Sequence, residues 1–149
     1  MKTISEFNDE VDFRSDFNES RLKKCIKLMA DIPIGVMLDI GCEKGQWGHY
    51  WKNKGWKVHG LDVNHRNVEL SKSAGLDATI CDCNSEKLPF SDQSFDFIFA
   101  GEIIEHLIDT DGFIEEIYRC LVPGGKAIIT TPNLASFENR MRLLFGVYP

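Results

Sequence analysis

The sequence predicts one α/β domain in which a mostly parallel sheet is covered by helices on both faces, a three-layer sandwich. Three observations predict it. Five short apolar runs alternate with stretches of helical periodicity, and strands separated by helices must run parallel through right-handed crossovers. The run FDFIFAG at 95–101 is nearly continuous in apolar residues, as a strand buried on both faces requires. The chain has 149 residues, room for one core and little for a second.

The elements follow in order. Over residues 16–30, Leu22, Cys25, Ile26 and Met29 recur at helical spacing behind the capping pair Asp16 and Glu19, so an amphipathic helix is expected. Residues 36–42 (VMLDIGC) form an apolar run that ends in a glycine turn, and 44–54 is helical until Gly55 stops it. The second strand is 57–63 (KVHGLDV), Asn64 caps a helix that runs to Gly75, and 78–83 (ATICDC) is the third strand. A polar stretch leads to the fourth strand. Helical spacing returns through Phe113, Ile114, Ile117 and Leu121, Pro123-Gly124-Gly125 breaks it, and 126–131 (KAIITT) is the fifth strand. A helix over 134–145 ends the chain.

Composition narrows the function. With 17 basic and 23 acidic side chains the net charge is −6, so the chain lacks the positive field that gathers nucleic acid. Lysine clusters at Lys23, Lys24 and Lys27 and at Lys52, Lys54 and Lys57 read as solvated helix faces. No apolar stretch is long enough for a signal peptide or a membrane span, and a cytoplasmic location is expected. The five cysteines show no zinc spacing. Cys81 and Cys83 are expected on one face of the third strand as apolar packing, with metal binding the minor alternative.

Chemistry concentrates where strands end, because ligands of such sheets bind beyond the carboxyl ends of the strands. The first strand runs into Leu38-Asp39-Ile40-Gly41-Cys42-Glu43-Lys44-Gly45, and Asp62 closes the second. An acid at that place accepts the ribose hydroxyls of an adenosine. Asp82 ends the third strand, where a carboxylate can accept from an adenine amino group while the Cys83 backbone meets the ring edge. Without that context Asp82 is an ordinary loop acid.

The segments LDIGCEKG, GLDVN, Asp82-Cys83, LPFSDQSFDFI, EIIEHL, LVPGG and TTPN, in this order over residues 36–133, resemble the Rossmann-like S-adenosylmethionine-dependent methyltransferases. The resemblance implies a sheet order of 3-2-1-4-5 and S-adenosylmethionine as cofactor. It implies that Gly41 and Gly45 approach the methionine moiety, Asp62 the ribose, and Asp82 with Cys83 the adenine, while Asp39 shapes the loop. The expected contact set further includes Cys42, Val63 and Gly101. Trp47, in the first turn after the loop, belongs to it too, although Trp47, Tyr50 and Trp51 at helical spacing also suit a core stripe.

One position departs from the family. Glu43 stands where the middle glycine of the turn is expected, either pointing to solvent or contacting the cofactor ammonium. Asp39, Glu43, Asp62 and Asp82 around one cleft suit a sulfonium and an ammonium better than a dianionic pyrophosphate. That weighs against a nicotinamide-dependent oxidoreductase, whose Tyr50 to Lys54 spacing match falls in the wrong helix.

Methyl transfer from a sulfonium needs alignment in a dry site more than a base. Should a hydroxyl or amine acceptor need one, Glu102 and His106 are the candidates, four residues apart and on one face if helical. Glu102 as a helix cap and His106 as packing is the other reading. A small-molecule acceptor is expected, and TTPN followed by LASFENRMRLLFG resembles methyltransferases of glycan and lipid intermediates, a pointer to a hydroxyl. A non-catalytic cofactor-binding module is the alternative.

Residues 1–34 are expected as an N-terminal helical cap, with Phe7, Phe13 and Phe17 forming part of a lid. Residues 35–133 make the cofactor-binding core, and 134–149 a C-terminal helix. The resembling fold has seven strands and this sequence supplies five, so a truncated chain is expected. Its fifth strand would then be an open edge at which two copies pair.

Overall fold

The computed structural model describes residues 19–133 and 135–147. The elements are α1 (Glu19–Met29), β1 (Val36–Ile40), α2 (Gln46–Asn53), β2 (Lys57–Asp62), α3 (His65–Ser73), β3 (Asp77–Ile80), β4 (Phe95–Gly101), a 3-10 turn (Ile104–His106), α4 (Thr110–Cys120), β5 (Leu121–Thr130) and α5 (Phe137–Leu144). The sheet order is β3-β2-β1-β4-β5, and every neighbouring pair is parallel. The three-layer sandwich and the 3-2-1-4-5 order are therefore as expected.

β1 lies at the centre, and its alternation divides the core. Met37 packs with Cys25 and Met29 of α1, Trp47 and Trp51 of α2, and Trp56, Val58, Phe97 and Phe99. Leu38 and Ile40 point the other way, toward Leu61, Ile98 and Ala100 and toward Phe113, Ile117 and Cys120 of α4. One face is thus covered by α1 and α2 and the other by α4.

Connections between distant segments are polar. The stretch between β3 and β4 passes over α4, where Arg119 holds it: Nη1 donates to the carbonyl of Phe90 and to Asp92, each at 2.8 Å, and Nη2 donates to the carbonyl of Leu88 at 3.0 Å. Glu116 orients that guanidinium through two bonds, of 2.9 and 2.7 Å, and also accepts the Leu88 N–H. Toward the β3 edge, His59 of β2 reaches Asp77 and Thr79 of β3 at 3.0 and 2.9 Å.

Two elements differ from expectation. β3 stops at Ile80 because Asp82 starts a turn: its carboxylate accepts the Asn84 N–H and the Ser85 hydroxyl, and its carbonyl accepts the N–H groups of Ser85 and Glu86. Cys81 and Cys83 therefore do not share a strand face, although both pack in the core layer under α4. β5 begins as soon as α4 ends, and its pairing jumps from Phe95–Leu121 to Phe97–Lys126. Residues 122–125 fall outside the ladder, where Pro123 has no N–H to offer it.

β5 is an edge strand, with no further strand on its outer side among the described residues. Beyond it, Phe137, Leu144 and Phe145 of the α5 segment are 80%, 74% and 75% exposed. Among the described residues no helix is long and apolar enough to cross a membrane. Asp16, Phe7, Phe13 and Phe17 lie outside the described residues.

Candidate functional site

The site grows from the turn between β1 and α2. The N–H groups of Gly41 and Cys42 both donate to the carbonyl of Leu61, at 2.7 and 3.0 Å, which ties the end of β1 to β2. Gly41, Glu43 and Gly45 all adopt positive φ, at 73°, 46° and 80°. At Gly45, the N-cap of α2, a Cβ would come within 2.8 Å of Leu76 Cδ1 and Ser71 Oγ, so the turn needs a residue without one. Glu43 adopts the same hand with a full side chain, at a cost of about 1–2 kcal/mol.

Hydrogen bonds fix Glu43 at both ends. Its N–H donates to Asp62 Oδ2 at 2.9 Å, and its carbonyl accepts from Ser71 Oγ at 3.0 Å. The side chain is exposed.

Three carboxylates at or just beyond strand ends have different electrostatic fates. Asp39 is buried, accepts the Gly48 N–H, and leaves Oδ2 without a partner. Burial first, then the charges of Asp62 and Glu43, push its acid up to about 8. Near neutral pH the buried group is mostly protonated, which reduces the negative charge that four acids would otherwise place in the cleft. Asp62, also buried, accepts Glu43 N–H on Oδ2 and both the Asn64 N–H (2.8 Å) and Asn67 Nδ2 (3.2 Å) on Oδ1. Asp82 is held below the usual carboxylate range by the N–H of Asn84 and the hydroxyl of Ser85.

The structure brings Asp39, Gly41, Cys42, Glu43, Gly45 and Asp62 together around the turn. Cys42 joins them as a packing residue: its buried sulfur fills the space over Gly60 and lies 3.6 Å from Ser71 Oγ, and burial pushes the thiol up to about 12. Trp47 takes the core reading; it is 3% exposed and packs on Trp51 and Phe99 at centroid distances of 5.5 and 5.0 Å. Val63 and Ile80, at the ends of β2 and β3, are 66% and 45% exposed and offer apolar surface beside Asp62 and Asp82. Cys83 is half-buried, its thiol pushed up to about 12 by burial.

Gly101 ends β4, and the next residue corrects an expectation. Glu102 has φ of 55° and its N–H donates to the Thr130 carbonyl at 2.9 Å, continuing the β4–β5 ladder. Helical turning starts only at Ile104. Glu102 and His106 therefore do not share a helical face; His106 is exposed in the short 3-10 turn. Asn84 braces that turn, donating to the His106 carbonyl at 3.3 Å and accepting the Ile108 N–H at 2.9 Å.

Sequence reasoning missed Ser71, Asn67 and Asn84. For Ser71 a signal existed: a small polar residue three positions after buried Val68, on the inner face of α3.

The donor set fits a nucleoside that carries positive charge. A closed turn whose glycines allow close approach, a carboxylate at the end of β2 and exposed apolar side chains beside it offer places for the methionine moiety, ribose and purine.

Comparisons agree with this geometry. Residues 38–129 match the family model described as a methyltransferase domain. Phosphoethanolamine N-methyltransferase 2 of Caenorhabditis elegans is 32% identical over 129 residues, 80% of this chain and 29% of that protein. A ubiquinone biosynthesis O-methyltransferase of Bartonella bacilliformis is 35% identical over 101 residues, 65% of this chain and 41% of its own. Among solved structures, a methyltransferase of Thermotoga maritima described as a possible histamine N-methyltransferase superposes with a TM-score of 0.67 at 25% identity, over 83% of this chain and 56% of that one. The chain thus spans about a third to a little over half of these proteins. Strand order, turn and match over most of its length together mean that the chain belongs to the S-adenosylmethionine-dependent methyltransferases.

Proposed function

We propose that this chain holds S-adenosylmethionine over the carboxyl ends of β1 to β4 and that its methyl goes to a small-molecule acceptor, a hydroxyl of a glycan or lipid intermediate. The observation that carries the reading is Asp62, fixed at the end of β2 beside the β1–α2 turn. The bound cofactor supplies a methyl group on a sulfonium whose departure needs no proton. Gly41 and Gly45 then accommodate the methionine moiety, Asp62 receives a ribose hydroxyl, Asp82 and the Cys83 backbone meet the purine, and Val63 lies against it. The relatives' O-methyltransferase name supports the hydroxyl, and their N-methyltransferase name keeps an amine within the same chemistry.

In this reading Glu102 and His106 border the acceptor from the loop after β4, and either one takes the proton of a hydroxyl or amine acceptor. Calorimetry with S-adenosylmethionine and with NAD tests the cofactor half: the first is expected to bind, and equal or tighter NAD binding would refute it. A screen of candidate acceptors with methyl-labelled cofactor tests the rest.

Among the described residues no strand pairs the outer side of β5, and such an edge supports a homodimer through it. Sedimentation velocity across a concentration series checks it; a monomer at every concentration would count against the pairing.

A further inference from the structure

We infer that Ser71 is a positioning residue for cofactor binding, needed because position 43 is not glycine. The inference rests on the S-adenosylmethionine reading and concerns how the loop holds its shape. Glu43 adopts a left-handed conformation that residues with a Cβ resist, φ 46°. Both of its backbone polar groups are held from outside the loop. Asp62 Oδ2 takes the N–H at 2.9 Å, and Ser71 Oγ donates to the carbonyl at 3.0 Å.

The two anchors sit on rigid supports. Asp62 ends a paired strand, and its other oxygen is fixed by Asn64 N–H and Asn67 Nδ2. Ser71 is fully buried on α3, four residues after Asn67, so one side of that helix reaches both the carboxylate and the loop. Ser71 Oγ also lies 3.6 Å from Cys42 Sγ and, with Leu76 Cδ1, is what a Cβ on Gly45 would strike. Its hydroxyl therefore meets the turn at Cys42 and Glu43 and lies beside Gly45.

A peptide unit free to leave this conformation would turn the Glu43 N–H away from Asp62 and move the turn that accommodates the methionine moiety. With glycine at position 43 the conformation needs no such restraint, since glycine visits both hands readily. Ser71 and the side chain at position 43 are therefore coupled: the hydroxyl matters most when the residue is not glycine.

A double-mutant cycle over Ser71→Ala and Glu43→Gly tests this, with the dissociation constant of S-adenosylhomocysteine measured by calorimetry on variants shown to be folded by circular dichroism. Ser71→Ala alone is expected to weaken binding about tenfold, the loss of one buried hydrogen bond. In the Glu43→Gly background the same change is expected to cost no more than about twofold, a coupling that separates positioning from a general loss of stability. Equal losses in both backgrounds, or no loss in either, would overturn the inference. If the unmutated chain binds no S-adenosylhomocysteine, the proposed function fails by itself, and the cycle is read instead from amide hydrogen exchange at residues 42–45. Faster exchange in Ser71→Ala that Glu43→Gly does not relieve would then overturn the clamp, and relief would uphold it.

Discussion

Ile103 fills the place where Gly41 has no side chain: a Cβ built on Gly41 would lie 2.3 Å from Ile103 Cδ1. The turn after β1 and the loop after β4 are thus in contact across the cleft, and what alters one is felt by the other. Gly41→Ala meets both this contact and a φ of 73°, and a destabilisation of about 1–3 kcal/mol is expected. Adding Ile103→Ala should remove the contact but leave the backbone strain. Thermal melts of the single and double variants would show partial recovery; full recovery would mean that strain at Gly41 is negligible.

Asp39 gives the ligand-free protein a stability that declines with alkali. Its folded acid is raised from 3.8 to about 8, burial being the main cause. Between those values the folded state holds the proton more tightly than the unfolded one, so the contribution is complete below about pH 4 and is lost as pH rises through 8. Asp39→Asn, which keeps an acceptor for Gly48 and cannot ionise, should flatten the decline. Melting temperatures from pH 5 to 9 for both proteins check this, and parallel curves would reject it.

His59 acts at the other end of the pH scale. Burial, opposed by Asp77, holds its imidazole below the ordinary value of 6.5. The unfolded chain therefore takes up a proton first, and stability present above about pH 6.5 falls as pH drops through the folded value. Lys57 and Lys72 act in the same direction as burial. A His59→Gln variant should lose less melting temperature between pH 7 and 5 than the unmutated protein. An equal loss would assign the acid sensitivity to other groups.

Removing Arg119 should release the stretch between β3 and β4. The guanidinium is 26% exposed and makes contacts with two carbonyls and two carboxylates, so Arg119→Ala is expected to cost about 2–3 kcal/mol after allowance for solvent screening. Lysine cannot reproduce the fork and should recover little. Urea denaturation measures both; a loss below 0.5 kcal/mol, about the scatter of ordinary surface changes, would show the clamp to be idle.

His106→Ala is expected to lower turnover by roughly 10²–10⁴-fold on a hydroxyl or amine acceptor if the side chain takes the proton, with little change in cofactor affinity. Its exposure makes a large loss of stability unexpected. Unchanged turnover would leave Glu102 as the candidate.

The fold was legible where local physics decides it. Apolar runs mark all five strands, and Asn64 caps α3 as its position indicated, accepting the Arg66 N–H at 2.9 Å. Boundaries failed where a side chain competes with the ladder, as Asp82 does after β3. The shared face of Glu102 and His106 failed for a related reason. Spacing of four implies a face only on a helix, and a backbone hydrogen bond to Thr130 holds Glu102 outside one. Asp62 and the glycines could be read because they follow strand ends in sequence. Ser71 and Arg119 act on segments 28 and 31 positions away, a pairing that no local pattern encodes.

The sheet order also sets a sequence of events on the ribosome. β1 receives β2 as soon as that strand emerges, yet its other neighbour, β4, arrives only after α3, β3 and the long polar stretch have been made. Until then the β4-facing edge of the central strand is bare, with Leu38 and Ile40 lacking Ile98, Ala100 and the α4 layer that later cover them. Nascent chains stalled before Phe95 should therefore engage a general holding chaperone, and chains stalled well beyond Thr130 should release it.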